Sequence, residues 1–318
     1  MFSLILCFFI LVLFISNSET VIHGAETGLM LWYRNVIPVL LPFMILSNII
    51  VSKIKNISLS NQTGKKAATY KLAVGTTFLL GLFCGYPLGA KTASDFVREG
   101  VYSPKLGNII LPVCNNSSPM FIAGYIVHTL LSGTVSFPFA MLMIYAPYLL
   151  FLTLAVVCHL CFTHHNQSIH YAEPGKYGNL SDGKNLRKRK QNTTSATTAV
   201  HDTMLDSIIQ ITYVGIYIML CSVIIEFLHI LPGISPMQTT LLSGITEITN
   251  GTYLLAVCTQ FHAKIKTALI LAVTSFGGIS AILQTNKVIN TSGLSLLSYV
   301  CVKILCATGT YILTILFI

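Results

Sequence analysis

Long apolar stretches separated by short polar segments dominate this chain, and the first stretch covers residues 2–16. No positive charge precedes it and no small-residue cleavage site follows it, so we expect a retained first helix and not a removed signal peptide. Residues 16–34 mix acidic side chains with Trp32 and Tyr33, which is typical of an interfacial segment with aromatic anchors. Residues 36–51 are apolar again and predict a membrane span.

The next apolar stretch, residues 72–104, is interrupted by a turn sequence. A full span here would place the basic segments 52–71 and 164–206 on opposite sides of the membrane, although basic loops normally stay on the inner side. A stretch that enters and returns on the same side keeps both segments inside. We therefore predict a re-entrant helical hairpin, with its tip or gate formed at the end of the first apolar part by Gly85, Pro87, Gly89 and Lys91.

The second half of the chain repeats this order of segments. A span at residues 207–229 is followed by an interrupted segment at 241–260 and by apolar stretches at 264–285 and 293–318. Each half then contains a span, a broken hairpin and two further spans, and the second hairpin enters from the opposite side. The sequence predicts an all-α integral membrane protein, a polytopic helical bundle with two inverted repeats that each carry a re-entrant helical hairpin.

This reading divides the chain into four parts. Residues 1–35 form an N-terminal helix and interfacial segment, and 36–163 form the first repeat. Residues 164–206 form a polar cytosolic loop, rich in Asn, Ser, Lys and Thr, and 207–318 form the second repeat.

An alignment between the halves supports the repeat. Placing Leu111 on Leu271 sets Asn115 against Ser275 and Ser118 against Gly278. Both spans then carry a polar or glycine break at the same depth. Discontinuous helices that meet near the membrane midplane are the usual construction of secondary transporters, because half-helix ends offer oriented dipoles to a solute.

Composition excludes a soluble protein, and the positions of the basic residues explain the positive charge. Hydrophobic residues make up 53% of the chain and charged residues only 9%, where about a quarter is usual, and the mean hydropathy is +0.74. The formal charge of +9 arises largely from the two basic segments. Basic loops set membrane orientation, so we expect contacts with membrane lipid and none with nucleic acid.

Polar side chains within the apolar spans are the candidate solute ligands, because unpaired polar groups are costly there. Asn115, Asn116, Ser117 and Ser118 either hydrogen-bond a solute or cap half-helices beside a proline. Glu247, in the broken tip of the second hairpin, either accepts a proton, a cation or a solute hydroxyl, or pairs with a lysine, or is exposed at the membrane interface. The lysines considered are Lys91, Lys287 and Lys303, and the remaining candidate ligands are Asn250, Ser275, Gly277 and Gly278.

The nine cysteines do not form a disulfide framework, since most lie inside apolar runs. Cys158 and Cys161, with His164 and His165 after them, have the spacing of a weak metal or redox pair but lack the second half of a structural zinc site. We expect no metal and no cofactor.

Four ordered motifs resemble one known family. They are Gly85-Tyr-Pro-Leu-Gly-Ala-Lys91, Cys114-Asn-Asn-Ser-Ser-Pro-Met-Phe-Ile122, Gly244-Ile-Thr-Glu-Ile-Thr-Asn-Gly251 and Ser275-Phe-Gly-Gly-Ile-Ser280. Together they resemble the sporulation integral membrane protein YlbJ family, built on the nucleoside recognition (Gate) domain. The resemblance implies two Gate-like repeats, a multi-pass protein in a bacterial mother-cell or forespore membrane, and a role in forming the cortex or envelope of the endospore. It implies no catalytic residues.

Three functions are compatible with these features. The first is a transporter-like permease for a small polar or nucleoside-like solute. The second is a non-transporting membrane scaffold that assembles the spore envelope through its basic loop. The third is an intramembrane enzyme that uses Cys158 and Cys161. We favour them in that order and expect no enzyme. The sequence is compatible with a homo-oligomer.

Overall fold

The computed structural model describes residues 2–42, 44–46, 49, 66–98, 100–165 and 196–318. Most of both predicted basic segments lies outside these residues. Regular structure in the described part is entirely helical. The helices are α1 (Phe2–Ser16), α2 (Ser18–Leu31), α3 (Lys66–Cys84), α4 (Leu88–Arg98), α5 (Pro104–Cys114), α6 (Pro119–Phe121), α7 (Phe137–His165), α8 (Ala196–Ile230), α9 (Pro236–Thr246), α10 (Ile248–Val257), α11 (Ala263–Phe276), α12 (Gly278–Ile289) and α13 (Leu296–Phe317).

Two π-helical segments extend helices of the first half. Residues Trp32–Val36 continue α2, and Ile122–Leu130 continue α6. Ordinary helix resumes after the first π segment and runs through residue 42. The boundary expected at residue 35 therefore falls inside a helix, and Ser18–Leu46 is long and apolar enough to cross a membrane.

Trp32 packs this helix against α8. Its indole N–H donates to the carbonyl oxygen of Ile211 at 3.0 Å, and its ring covers Gly215. The polar group of Trp32 is thus used inside the protein, against α8. Tyr33, the other expected anchor, stays 64% exposed.

Serine–proline pairs begin three of the helices. The side chains of Ser103, Ser118 and Ser235 each accept a backbone N–H of the first turn, and a proline follows each of them. Proline suits this position because it has no N–H to satisfy and has a helical φ. It also forces the preceding residue out of the helical region, so Ser118-Pro119 separates α5 from α6.

Close glycine contacts hold neighbouring helices together in both halves of the chain. A β-carbon on Gly81 or Gly89 would collide with the carbonyl oxygen of Cys114 in α5. In the second half, a β-carbon on Gly251 would collide with the backbone of Gly244 across the break. Small residues that let backbones approach are typical of helix packing in membranes.

The outer surface is far more apolar than that of a soluble protein, with large side chains such as Leu297, Leu305 and Leu316 about 70% exposed. Soluble monomers rarely expose contiguous apolar surfaces of this kind. Among the described residues, the interior combines apolar clusters with many Asn, Ser and Thr side chains and with Glu247 and Lys303. Five helices of the described residues are long and apolar enough to cross a membrane, namely Ser18–Leu46, Phe137–Cys158, Met204–Ile230, Ala263–Ile289 and Leu296–Phe317. The chain is a multi-pass, all-helical membrane protein.

Candidate functional site

Four backbone interruptions lie near one another inside the bundle. They are the turn between α3 and α4, residues 115–118 between α5 and α6, the extended residue Glu247 between α9 and α10, and Gly277 between α11 and α12. The Ser117 hydroxyl donates to the Thr274 carbonyl oxygen at 2.9 Å, which joins the broken helices of the two halves. The Tyr86 hydroxyl of the first hairpin lies directly against Gly277.

Position 277 requires glycine for two reasons. Its φ of +88° is in the left-handed region, which ends α11. A β-carbon there would also meet the Tyr86 ring, with its phenolic carbon 2.8 Å away. The first hairpin can therefore reach the second break only because this residue is glycine.

A cavity of about 70 Å³ lies beside these interruptions. This is room for a few water molecules. Its polar wall comes from the interruptions and from the starts of α10 and α12, and much of its apolar wall comes from residues 36–40, after α2, and from α8. The polar lining residues are Tyr86, Ser117, Ser118, Glu247, Thr249, Ser280 and Gln284, and the apolar ones include Val36, Leu40, Val214 and Ile218.

Glu247 is the acidic residue of the cavity wall, and its side chain is buried. One carboxylate oxygen accepts the Asn250 backbone N–H at 2.8 Å, and Thr249 also hydrogen-bonds the carboxylate. The carboxylate thus caps the first turn of α10, where a negative charge interacts favourably with the helix dipole. Among the described residues, no Lys or Arg forms an ion pair with it.

The three lysines considered as partners of Glu247 lie elsewhere. Lys91 is exposed on α4, and Lys287 lies over the ring of Tyr213, 4.6 Å from its centroid. Lys303 is buried at the other side of Tyr86. The carboxylate is accordingly held by hydrogen bonds and not by a salt bridge.

Asn115 links three elements and uses both of its amide N–H donors within the protein. Its Nδ2 donates to the Thr285 hydroxyl at 2.8 Å and to the Tyr299 hydroxyl at 3.0 Å, while its Oδ1 accepts the Ala90 N–H at 3.2 Å. Both Nδ2 donors are therefore used, together with one of the two lone pairs of Oδ1. Asn115 joins α4 to α12 and α13, and it does not line the cavity.

Asn116 closes the end of α5. Its Nδ2 donates to the carbonyl oxygens of Pro112 and Val113 at 3.1 and 2.8 Å, and its Oδ1 accepts from Lys303. Carbonyls at a helix C-terminus lack an intrahelical partner, so this amide satisfies two of them within the apolar bundle.

Three tyrosine hydroxyls donate to backbone carbonyls at or beside the interruptions. The hydroxyls of Tyr145, Tyr148 and Tyr125 donate to the carbonyl oxygens of Ser117, Ser275 and Thr249, at 2.7, 2.8 and 2.9 Å. Irregular backbone at membrane depth persists only where protein or cavity water satisfies it. Tyr125 belongs to the π extension of α6, and Tyr145 and Tyr148 belong to α7.

The predicted site residues divide into two groups. Ser117, Ser118, Glu247 and Gly277 line the cavity. Asn115, Asn116, Asn250, Ser275, Gly278, Gly85, Pro87, Gly89 and Lys91 do not. Asn250 instead donates to the Ser222 hydroxyl, and Ser275 bonds Tyr148. Asp95, four residues after Lys91, pairs with Arg98.

Sequence reasoning underestimated two residues. Tyr86 lies inside the predicted tip motif but was not singled out, and Lys303 was considered only as a partner of Glu247. A charged residue inside an apolar span is itself a functional signal, and it would have identified Lys303.

In the part of the chain that the structure describes, no three or more His, Cys, Asp or Glu side chains lie together so that they could hold a metal ion. Cys158 is exposed near the end of α7. The side chains of Cys161, His164 and His165 lie outside the described residues.

Comparison with known proteins gives one informative similarity. The chain is similar to the sporulation integral membrane protein YlbJ of Bacillus subtilis (strain 168), with 28% identity over 113 residues. The aligned region covers 35% of this chain and spans 28% of the relative's length. No family model matches the chain, and no solved structure matches it.

Proposed function

We propose that this protein is a permease for a small polar solute that acts in endospore formation, with its solute site at the cavity beside the four interruptions. The observation that carries the transport part is the convergence of four broken segments on a cavity with a buried carboxylate. Intramembrane carboxylates without an ion pair are functional groups by default, because burying them is costly.

Contacts at the ends of the hairpins support an inverted repeat. After the first hairpin, Arg98 donates to the Thr291 hydroxyl at 3.3 Å, just beyond the end of α12. After the second hairpin, Lys266 at the start of α11 donates to the Ala256 carbonyl oxygen at 3.0 Å. Residues Ala263–Ile289 form one candidate span. The hairpins thus end at opposite ends of the same span, as hairpins that enter from opposite sides would.

The packing suggests which parts move during transport. Helices α2 and α8 pack along each other, with a β-carbon on Gly28 or Gly24 meeting the backbone of α8 within 2.8 Å. The continuation of α2 at residues 36–40 and helix α8 form much of the apolar wall of the cavity, and the broken helices form the polar wall. A solute larger than a few waters requires these walls to separate. We propose that the broken helices move against the α2–α8 pair, as repeats do in alternating access.

The sporulation part rests on the similarity to the Bacillus subtilis protein. A membrane of the developing spore, either the mother-cell or the forespore membrane, is the proposed location. A nucleoside-like solute is one member of the proposed class, and uptake measurements decide between it and other polar metabolites.

Uptake into proteoliposomes tests the permease directly. Gln284 lines the cavity and donates to the Ser280 hydroxyl at 3.2 Å. Replacing Gln284 by leucine keeps the side-chain size but removes one hydrogen-bonding group, so we expect the KM of the transported solute to rise about tenfold, for a loss of about 1.4 kcal/mol. The matched control is Gln260→Leu, since Gln260 is exposed away from the cavity and should leave KM unchanged.

The screen covers labelled nucleosides, amino acids and spore metabolites against protein-free vesicles. Uptake of none of them by folded protein contradicts the permease and favours the scaffold. Under the scaffold, deletion of residues 176–190 abolishes spore formation, whereas under the permease it leaves spore formation largely intact.

A further inference from the structure

Lys303 is a fully buried lysine in the first half of α13. Its Nζ donates to the Tyr86 hydroxyl at 2.5 Å, to Asn116 Oδ1 at 2.7 Å and to the Asn115 carbonyl oxygen at 3.5 Å. An ammonium group has three donors and no acceptor, so three oxygen atoms match its capacity. The three oxygens come from the first hairpin tip and the first broken helix.

Aromatic rings and carbonyl oxygens surround the Nζ atom of Lys303. Three tyrosine rings face Nζ, with centroids 4.9, 5.0 and 5.9 Å away for Tyr86, Tyr148 and Tyr299. Aromatic faces attract cations through their quadrupole. The Asn115 carbonyl follows the last turn of α5, where the helix dipole is negative. Within the described residues, no carboxylate forms an ion pair with Lys303.

Oxygen ligands from carbonyl, amide and hydroxyl groups are those that hard cations prefer. The same arrangement would hold a free monovalent cation if the lysine were absent. A bond between the ammonium and these oxygens also fixes the first hairpin tip to the first break, because Tyr86 and Asn116 belong to different elements.

We infer that the Tyr86 hydroxyl, the Asn116 side-chain oxygen and the Asn115 carbonyl form a monovalent-cation site that the Lys303 ammonium occupies as a tethered cation. The protein thereby carries its own cation where the first hairpin meets the first broken helix. Its folded state needs no free Na⁺, K⁺ or NH₄⁺ at this place, and removal of the lysine side chain opens the site to such ions.

Chemical rescue of thermal stability tests this inference without any solute. Lys303→Ala vacates the site, and we expect the Tm of the detergent-purified protein to fall by roughly 10 °C in N-methylglucamine chloride. Ammonium, methylammonium or sodium chloride at equal ionic strength should restore at least half of that loss, with saturation. Lys303→Met fills the same space without charge, so its Tm should show no such rescue. Wild-type protein and the exposed-lysine control Lys287→Ala should be indifferent to the choice of cation.

Removing one oxygen gives a second readout. In the double variant Lys303→Ala/Tyr86→Phe, the cation concentration for half-maximal rescue should rise about tenfold or more, since a hydrogen-bonding or coordinating oxygen is lost. The inference is overturned if no cation rescues Lys303→Ala, including the case in which the variant is never recovered folded with ammonium present throughout. It is also overturned if Lys303→Met is rescued equally, or if the wild-type Tm depends on Na⁺. Since no solute is involved, these outcomes are independent of the permease test.

Discussion

Replacement of Gly81 by alanine is expected to prevent the protein from folding, although it adds a single methyl group. A β-carbon at this position would overlap the Cys114 carbonyl oxygen and lie 2.6 Å from the carbonyl carbon. The obstacle is backbone, which cannot rotate away as a side chain can, so α3 and α5 must move apart. Overpacking a well-packed interior costs about 3 kcal/mol when the neighbours can adjust, and more when they cannot.

The matched control for Gly81→Ala is Gly75→Ala in the same helix. Gly75 is exposed, and an added β-carbon meets nothing within 4 Å. Alanine is the better helix former by about 1 kcal/mol, so this variant should be slightly more stable than wild type. Size-exclusion chromatography of detergent extracts and thermal melting compare the two. Equal folded yields from Gly81→Ala and Gly75→Ala would contradict the close crossing of α3 and α5.

Replacement of Glu247 by glutamine is expected to reduce transport strongly while leaving the fold intact. The amide oxygen of glutamine can still accept the Asn250 N–H, so the cap on α10 is kept. The charge is lost, and with it a hydrogen bond of about 1.5 to 3 kcal/mol to a solute donor or cation, which corresponds to a decrease in uptake rate of about 10- to 100-fold.

The thermal stability of Glu247→Gln should not decrease, although its transport activity does. A buried carboxylate without an ion pair is costly to desolvate, so Glu247→Gln should melt at the same temperature as wild type or higher. The control Glu19→Gln removes an exposed carboxylate from α2 and should change neither property. Full uptake by Glu247→Gln would show that the carboxylate serves only as a helix cap.

The positions of the interruptions could be predicted from sequence because each one has a local cause. Pro119 excludes a helical conformation at Ser118, and Gly277 supplies the left-handed residue that ends α11. The polar break at 115–118 and the glycine break at 277 therefore occur within the predicted motifs, as does the hairpin tip at Gly85. Each of these breaks is caused by residues that are adjacent or nearly adjacent in the sequence.

The roles of single polar residues could not be predicted in the same way. Asn115 is a polar side chain in an apolar span, as a solute ligand would be. Its hydrogen-bond partners Thr285 and Tyr299, however, lie 170 and 184 residues away in the sequence. Lys303 has no motif around it, and its ligands come from segments more than 180 residues earlier. Trp32 likewise bonds Ile211 across the bundle. Only the tertiary arrangement distinguishes a structural amide from a cavity-lining one.

Sidedness of labelling at the two hairpins tests the inverted repeat most directly. In a cysteine-free background, Lys105→Cys reports the face where the first hairpin ends, and His262→Cys reports the face where the second ends; both native residues are exposed. A membrane-impermeant maleimide applied to intact cells and to inverted vesicles should label Lys105→Cys only from the cytosolic face and His262→Cys only from the opposite face. Labelling of both positions from the same face would contradict the inverted repeat and the transport site built on it.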